Sequence, residues 1–272
     1  MTWPDIRWAT SSNAVKTSLI SLVTASLADV KDEGGRKQDG GESQMMGEER
    51  RSDVSGLVAA VVLAAGQSSR MGQLKLVLPW GAGGTVIGEV VRRLRRVSEL
   101  SEIVVVTGRE RERVEACLAQ ALLGAGQAPA PAVRTVFNPK FAEAEMARSV
   151  EAGLNALPEN ILAALIVLGD QPQLLPEVVH ALLRRWRETQ APVVAPFYQG
   201  QRGNPVLLDR AVWPLVRALP DSANPRQIFQ AAGRIERVEA ADDTILRDLD
   251  TPEDYAREFE QSTRGIISPN GL

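Results

Sequence analysis

Downstream of Leu57 the chain carries two apolar patterns in alternation. Short unbroken apolar runs occur at Leu57–Leu63, Ile103–Thr107 and Leu162–Leu168. They lack the polar alternation of a half-solvated strand, and so predict strands buried on both faces. Between them, apolar residues recur at helical spacing in Val86–Val97, Glu110–Leu123, Ala147–Leu157 and Pro176–Thr189. Val86–Val97 also sets arginines opposite its Leu/Val stripe. Val133–Phe137, Val193–Ala195 and Pro205–Leu208 read as further strands, Arg226–Ala232 and Pro252–Gln261 as helices, and Gly124–Pro131 as a linker. Buried strands separated by helices predict an α/β fold: a Rossmann-like, mainly parallel sheet with helices on both faces.

Residues 1–55 break this pattern. From Lys31 to Ser55 large apolar side chains are almost missing, while Gly, Glu, Asp, Arg and Ser are dense. Such a segment cannot offset its ordering entropy by burial. It predicts a disordered or loosely attached leader over 1–55, ahead of a domain at 56–262 and a tail at 263–272. Met45 and Met46 stand just before the first strand, so a chain beginning there is the alternative reading of that leader. The weakly apolar Thr17–Ala28 is peppered with Ser and Thr and lies behind Asp5, a poor match to a secretory signal. No apolar run reaches the roughly 20 residues that span a bilayer, so no membrane partner is expected and the cytoplasm is the expected location.

Charge and residue counts narrow the chemistry. A net charge of -3 over 272 residues argues against a nucleic-acid partner and for a small ligand. One cysteine, Cys117, and one histidine, His180, exclude a disulfide framework and a Cys/His zinc site within one chain. A Ser-His-Asp apparatus would have to rest on His180, which sits in an ordinary amphipathic helix pattern and reads as a surface or boundary residue.

The richest segment is Val61-Val62-Leu63-Ala64-Ala65-Gly66-Gln67-Ser68-Ser69-Arg70-Met71-Gly72-Gln73-Leu74-Lys75. A buried strand empties into small residues, which let backbone approach a ligand closely and let loop amides cradle phosphate oxygens. Arg70 can fork onto a phosphate, and Lys75 can act as a mobile point charge. A Gly-rich loop alone would serve equally as a plain strand-to-helix turn. A second element closes the strand Leu162–Leu168 with Gly169-Asp170-Gln171-Pro172. Ligands of open α/β sheets lie beyond the carboxyl ends of the strands, where Asp170 falls and could hold Mg²⁺ on a nucleotide. An Asp capping the next turn is the competing reading. A third element is Arg247-Asp248-Leu249-Asp250-Thr251-Pro252-Glu253-Asp254-Tyr255. Thr251, Pro252 and Asp254 explain themselves as N-cap, first-turn proline and an acid reaching back. Asp248 and Asp250, two apart in an extended segment, face one side, either toward a shared site or into solvent.

The order Leu-Ala-Ala-Gly-x-Ser-x-Arg-Met-Gly-x-x-Lys resembles the small nucleotidyltransferases that activate molybdopterin cofactors, above all the molybdenum-cofactor cytidylyltransferases. Weaker echoes run from about residue 57 to 260. The resemblance implies a fold of the nucleotide-diphospho-sugar transferase type. It further implies nucleotide binding by Leu63, Ala64, Ala65, Gly66, Ser68, Arg70 and Lys75, with Arg70, Lys75 and Asp170 catalytic. Guanylyltransferase relatives usually carry Gly at the position of Ala65. Gly-Asp-Gln-Pro and Asp-x-Asp-Thr-Pro-Glu-Asp resemble the family's metal-binding turns, which implies Asp170 and Asp250 as ligands with Asp248 in reserve. Asn138-Pro139-x-Phe141 with Met146-x-x-Ser149-x-x-x-Gly153 resembles the loop and helix that flank the nucleotide, so Asn138 and Ser149 are implied there. Glu145 stands where relatives usually have Gly. Arg202-Gly203-Asn204-Pro205 resembles a substrate-side loop, with Asn204 replacing a His. Asn can hydrogen-bond like a neutral His but cannot be a cation or a proton shuttle.

Together these imply Mg²⁺-dependent transfer of CMP from CTP to a molybdopterin-type acceptor, with a molybdenum hydroxylase apoenzyme as the possible receiver of the product. The rivals are a guanylyl- or other nucleotidyltransferase acting on another phosphate monoester, and a non-catalytic chaperone that carries finished cofactor. Only a transferase would release pyrophosphate. A dinucleotide-binding dehydrogenase is disfavoured, because Gly66 to Gly72 lacks the Gly-x-Gly-x-x-Gly order.

Overall fold

A computed structural model describes residues 57–66, 71–81, 84–123, 130–143, 146–219 and 232–264. The expected leader, most of the Gly124–Pro131 linker and all but the last residue of the expected Arg226–Ala232 helix lie outside those residues. The strands are β1 (Val58–Ala64), β2 (Pro79–Trp80), β3 (Gly84–Thr85), β4 (Leu100–Thr107), β5 (Ala132–Phe137), β6 (Ala163–Leu168), β7 (Val193–Tyr198), β8 (Gln201–Arg202), β9 (Val206–Asp209) and β10 (Ile235–Glu239). The helices are α1 (Val86–Leu94), α2 (Arg111–Leu122), α3 (Met146–Asn155), α4 (Pro176–Thr189), α5 (Trp213–Arg217) and α6 (Pro252–Arg264). The main sheet runs β10-β7-β9-β6-β1-β4-β5, with β8 paired to β7. β2 and β3 form a small hairpin of their own.

The sheet is mainly parallel, as the apolar runs imply; β9 runs antiparallel to both of its neighbours. That reversal has a chain-length cause. Only Gln199 to Pro205 separates β7 from β9, too little for the dozen or more residues of a parallel crossover. The chain instead turns at Gln199 and Gly200, both with positive φ (48° and 82°), a backbone state that suits a tight hairpin.

Helices cover both faces. Alternate residues of β1 point to opposite layers: Val58, Ala60, Val62 and Ala64 belong to one apolar cluster with residues of α1, α2, α4 and α6, whereas Ala59 and Val61 belong to a second with residues of α3 and α5. Both layers are closed: Val58 to Val62 have no exposed surface. Each fully buried Val or Leu contributes about 1.5–3 kcal/mol, which makes β1 and its neighbours a rigid floor for whatever their ends carry. Trp186 of α4, 1% exposed, pins that helix to the sheet by donating from its indole N–H to Asp209 at 2.9 Å. Thr85 caps α1 by accepting from the Gly88 amide at 3.2 Å. At α6 the Thr251 amide and hydroxyl both donate to Asp254 (3.1 and 2.8 Å), and the Asp254 amide returns a bond to the Thr251 hydroxyl (3.1 Å). The assignment of these residues to a helix cap therefore holds. No helix among the described residues is long and apolar enough to cross a membrane.

Candidate active site

Four strand exits stand side by side. Leu63 is level with Val106 and Leu168, Ala64 with Thr107, and Thr107 with Phe137. Ala65–Gly66, Gly108, Asn138 and Gly169–Asp170 consequently form one row along the carboxyl edge of the sheet. Two of its glycines are required by close backbone approach. A Cβ on Gly169 would lie 2.7 Å from the Leu63 carbonyl oxygen, and one on Gly108 would lie 2.8 Å from that of Ala65. The Gly169 amide donates to Leu63 O at 3.1 Å, which fixes the turn bearing Asp170 against the end of β1.

Asn138 and Ser149 meet in this row, both buried. The Asn138 amide donates to Thr107 O (2.8 Å), its side-chain nitrogen donates to Ser149 Oγ (3.1 Å), and its Oδ1 accepts from the Lys140 amide (2.9 Å). Their hydrogen-bonding ends are thus turned on each other, bracing the loop on helix α3. Gly153, one turn further along α3, seats that helix on the sheet, since a Cβ there would overlap Val61. Ser68, Arg70 and Glu145 lie outside the described residues.

Two acids converge on Lys75, which opens a short helical turn, Lys75–Val77, downstream of β1. Its ammonium lies 2.5 Å from Asp170 Oδ2 and 3.2 Å from Asp250 Oδ1. The Leu249 amide donates to the Asp170 carbonyl (3.3 Å), and Gln171 Nε2 donates to Asp248 Oδ1 (2.5 Å). The Asp-Leu-Asp segment is therefore held beside the Asp170–Gln171 turn, with its two acids at different depths. The Asp250 side chain is 45% exposed. Burial, together with repulsion from Asp170 and Asp250, pushes Asp248 up to about 6, against the lowering effect of the Gln171 bond and the Lys75 charge. Burial tends to lower the Lys75 ammonium, but Asp170 and Asp250 outweigh it and hold it above its ordinary value.

One cation already touches both carboxylates. Asp170 and Asp250 offer the hard oxygen donors that Mg²⁺ favours, and Mg²⁺ usually takes only one or two carboxylates, with water and phosphate oxygens completing its shell. Among the described residues no group of three or more acidic, His or Cys side chains is arranged to enclose a metal.

Arg202 lies on β8, and the next two residues dock on the segment leading to the acids. The Gly203 amide donates to Pro196 O (2.9 Å) and the Asn204 amide to Ile245 O (2.9 Å). A Cβ on Gly203 would overlap Ile245. Gln171 Nε2 also reaches Ile245 O (3.5 Å), so the Arg202–Asn204 loop, the Gly169–Pro172 turn and the Asp243–Asp250 segment share one junction. Sequence reasoning missed this role of Gln171, which is 3% exposed. It also missed the aromatic clamp in which Trp80 packs on Tyr255 and Phe259, while Tyr255 donates its hydroxyl to Pro79 O (2.7 Å). A lone buried-type Trp near the phosphate loop and a Tyr/Phe pair on the last helix were the available signals. His180 is a partly exposed residue, 2.8 Å from Glu99, as its helix pattern implies.

The chain is similar in sequence and fold to known proteins. The chain is 27% identical over 207 residues to the molybdenum cofactor cytidylyltransferase of Escherichia coli, covering 76% of this chain and 97% of that protein. It is 31% identical over 202 residues to the purine catabolism protein PucB of Bacillus subtilis, covering 72% and 92%. The manganese complex of Rv0371C from Mycobacterium tuberculosis has a similar fold, with a TM-score of 0.56 and 21% identity over 75% of this chain and 98% of that one. The family model of the MobA-like NTP transferase domain matches residues 60–238. Since that match runs from within β1 to within β10, and takes in Lys75 and Asp170, the chain belongs to the MobA-like NTP transferase family.

Proposed function

We propose that the protein transfers CMP from CTP to the terminal phosphate of a molybdopterin-type cofactor and releases pyrophosphate. The observation that carries this reading is the meeting of Lys75, Asp170 and Asp250 at the carboxyl edge of the sheet, beside the Ala65–Gly66 loop. The sequence likeness to the Escherichia coli cytidylyltransferase supports CTP and a molybdenum cofactor as the substrates.

The backbone of Leu63 to Gly66 takes the nucleotide, and Arg70 and Lys75 take the triphosphate. Asp170 and Asp250 would hold Mg²⁺, which when bound neutralises phosphate charge and aligns the leaving group. The acceptor is a phosphate monoester whose second pKa of about 6 leaves it largely a dianion at neutral pH. It attacks the α-phosphorus without a general base, so the His missing at Asn204 removes nothing the reaction needs. An acceptor oxygen–phosphorus bond forms, the bond to the bridging oxygen breaks, and pyrophosphate departs. Asn138 and Ser149 act by holding the loop between β5 and α3 against the nucleotide site. The Arg202–Asn204 loop, anchored on Ile245, faces the acceptor. A molybdenum hydroxylase apoenzyme would receive the product.

Incubation with each NTP, Mg²⁺ and molybdenum cofactor, followed by identification of the nucleotide in the product, tests the reading. Cytosine dinucleotide with stoichiometric pyrophosphate is the expected result. A guanine product, or cofactor binding without pyrophosphate, would overturn it.

A further inference from the structure

Lys75 holds a position that a metal ion would need. Its ammonium touches Asp170 Oδ2 and Asp250 Oδ1, the outermost atoms of the two carboxylates read above as the metal ligands. Its side chain is only 14% exposed, and Asp170's 18%. A metal ion and the ammonium would compete for these oxygens, because two cations beside them repel in a partly desolvated site. A metal arriving alone must therefore compete with Lys75 for Asp170 Oδ2 and Asp250 Oδ1. A metal arriving on a triphosphate brings replacement oxygens with it. Lys75 suits such an exchange: it is a compact point charge on a flexible four-carbon stem, and it can turn from carboxylate to phosphate without a change in the backbone.

We propose that Lys75 is a placeholder cation, which keeps the Asp170–Asp250 pair closed to a free divalent metal and yields it to a metal–nucleotide complex. The proposal rests on the reading of this pair as metal ligands. The ammonium also has a task in the free protein. Asp248 stands behind the pair on Gln171, so three carboxylates share the site, and Lys75 neutralises part of their repulsion. Metal and nucleotide then bind cooperatively, each favouring the other to the same extent.

Binding of Mn²⁺ alone to the full chain, followed by electron paramagnetic resonance without nucleotide, tests the idea. Lys75→Met keeps the length of the stem and removes the charge, and Lys75→Gln serves if Met does not fold. The uncharged variant should bind Mn²⁺ roughly tenfold more tightly than the intact protein, or better, because a competing charge beside the ligands has gone. Lys75→Arg, which keeps the charge, should stay near the intact value. Adding Asp170→Asn to Lys75→Met should erase the gain. Unchanged Mn²⁺ affinity in a folded Lys75→Met protein would overturn the placeholder role and leave the metal-ligand reading to its own test by Asp170→Asn turnover. A gain that survives Asp170→Asn would place the metal elsewhere and overturn both.

Discussion

Replacing Asp248 with Asn should stabilise the metal-free protein, increasingly so as the pH rises from about 4 to about 6. The Asp248 carboxyl is pushed up from 3.8 to about 6, mostly by burial and then by Asp170. A group whose folded-state pKa lies above its unfolded value binds protons more tightly in the fold. Below about pH 4 it is protonated in both states and has no effect on stability; above about pH 6 it is charged in both, and its burial penalty is fully present. A rise of about two pH units corresponds to about 3 kcal/mol. Asp170 and Asp250 share that repulsion, and Asn leaves both in place, so we expect a gain of about 1–3 kcal/mol at pH 8. The Gln171 bond survives, since an Asn carbonyl oxygen can accept it as the carboxylate does. Denaturant titrations of both proteins in chelating buffer, from about pH 4 to about pH 8, measure the difference directly. It should grow through the window between about 4 and 6 and then level off. A difference that does not change with pH, or a less stable Asn protein at pH 8, would refute the account of Asp248 as a desolvated acid facing its neighbours.

Three further outcomes are expected. Ala65→Gly should relax a preference for CTP over GTP by about 1–3 kcal/mol in kcat/KM, the worth of one methyl in a base site; equal kcat/KM for both nucleotides in the unmodified protein would remove the basis for this change. Gly203→Ala should cost about 1–3 kcal/mol of stability and raise the acceptor KM more than the CTP KM, because a Cβ there overlaps Ile245 beneath the substrate-side loop; an unchanged melting temperature would contradict that packing. A chain starting at Met46 should fold and keep its turnover, since the composition of the leader cannot support a packed core; a fall of more than about tenfold, or loss of solubility, would show that the leader contributes.

Much of the fold was legible because buried parallel strands announce themselves as unbroken apolar runs. β1, β4 and β6, at the centre of the sheet, are such runs, and the helix Pro176–Thr189 has the bounds its pattern implies. Edges were harder to read. β10 reads Ile-Glu-Arg-Val-Glu, an alternation that a solvated loop also shows, and β2 and β3 have two residues each, too few for any periodicity. Helix α1 ends at Leu94 although the apolar spacing continues to Val97, because Arg95 to Val97 close into tight turns on the preceding carbonyls. At the site, the sequence identified Lys75, Asp170 and Asp250 one by one. Their mutual pairing was hidden, since it depends on how β1, β6 and the last helix meet in space. The unequal depth of Asp248 and Asp250 was hidden for the same reason: alternation gives the face, whereas burial depends on the Asp170–Gln171 turn arriving from elsewhere. The junction at Ile245 is made by a backbone carbonyl, which side-chain identity does not encode.

Pyrophosphate release by Asp170→Asn, Asp250→Asn and the double variant, with CTP, Mg²⁺ and molybdenum cofactor present, tests the carboxylate pair most directly. Each single change keeps the shape of the side chain and removes a charge from the place where Lys75 now sits between the two acids. Each should slow turnover by roughly 10²–10⁴ with little change in melting temperature. The double variant should be scarcely slower than the worse single one, because both changes disable one unit. Full turnover in Asp170→Asn would contradict the account and favour a cofactor carrier over a transferase; full turnover in Asp250→Asn alone would move the second ligand to Asp248.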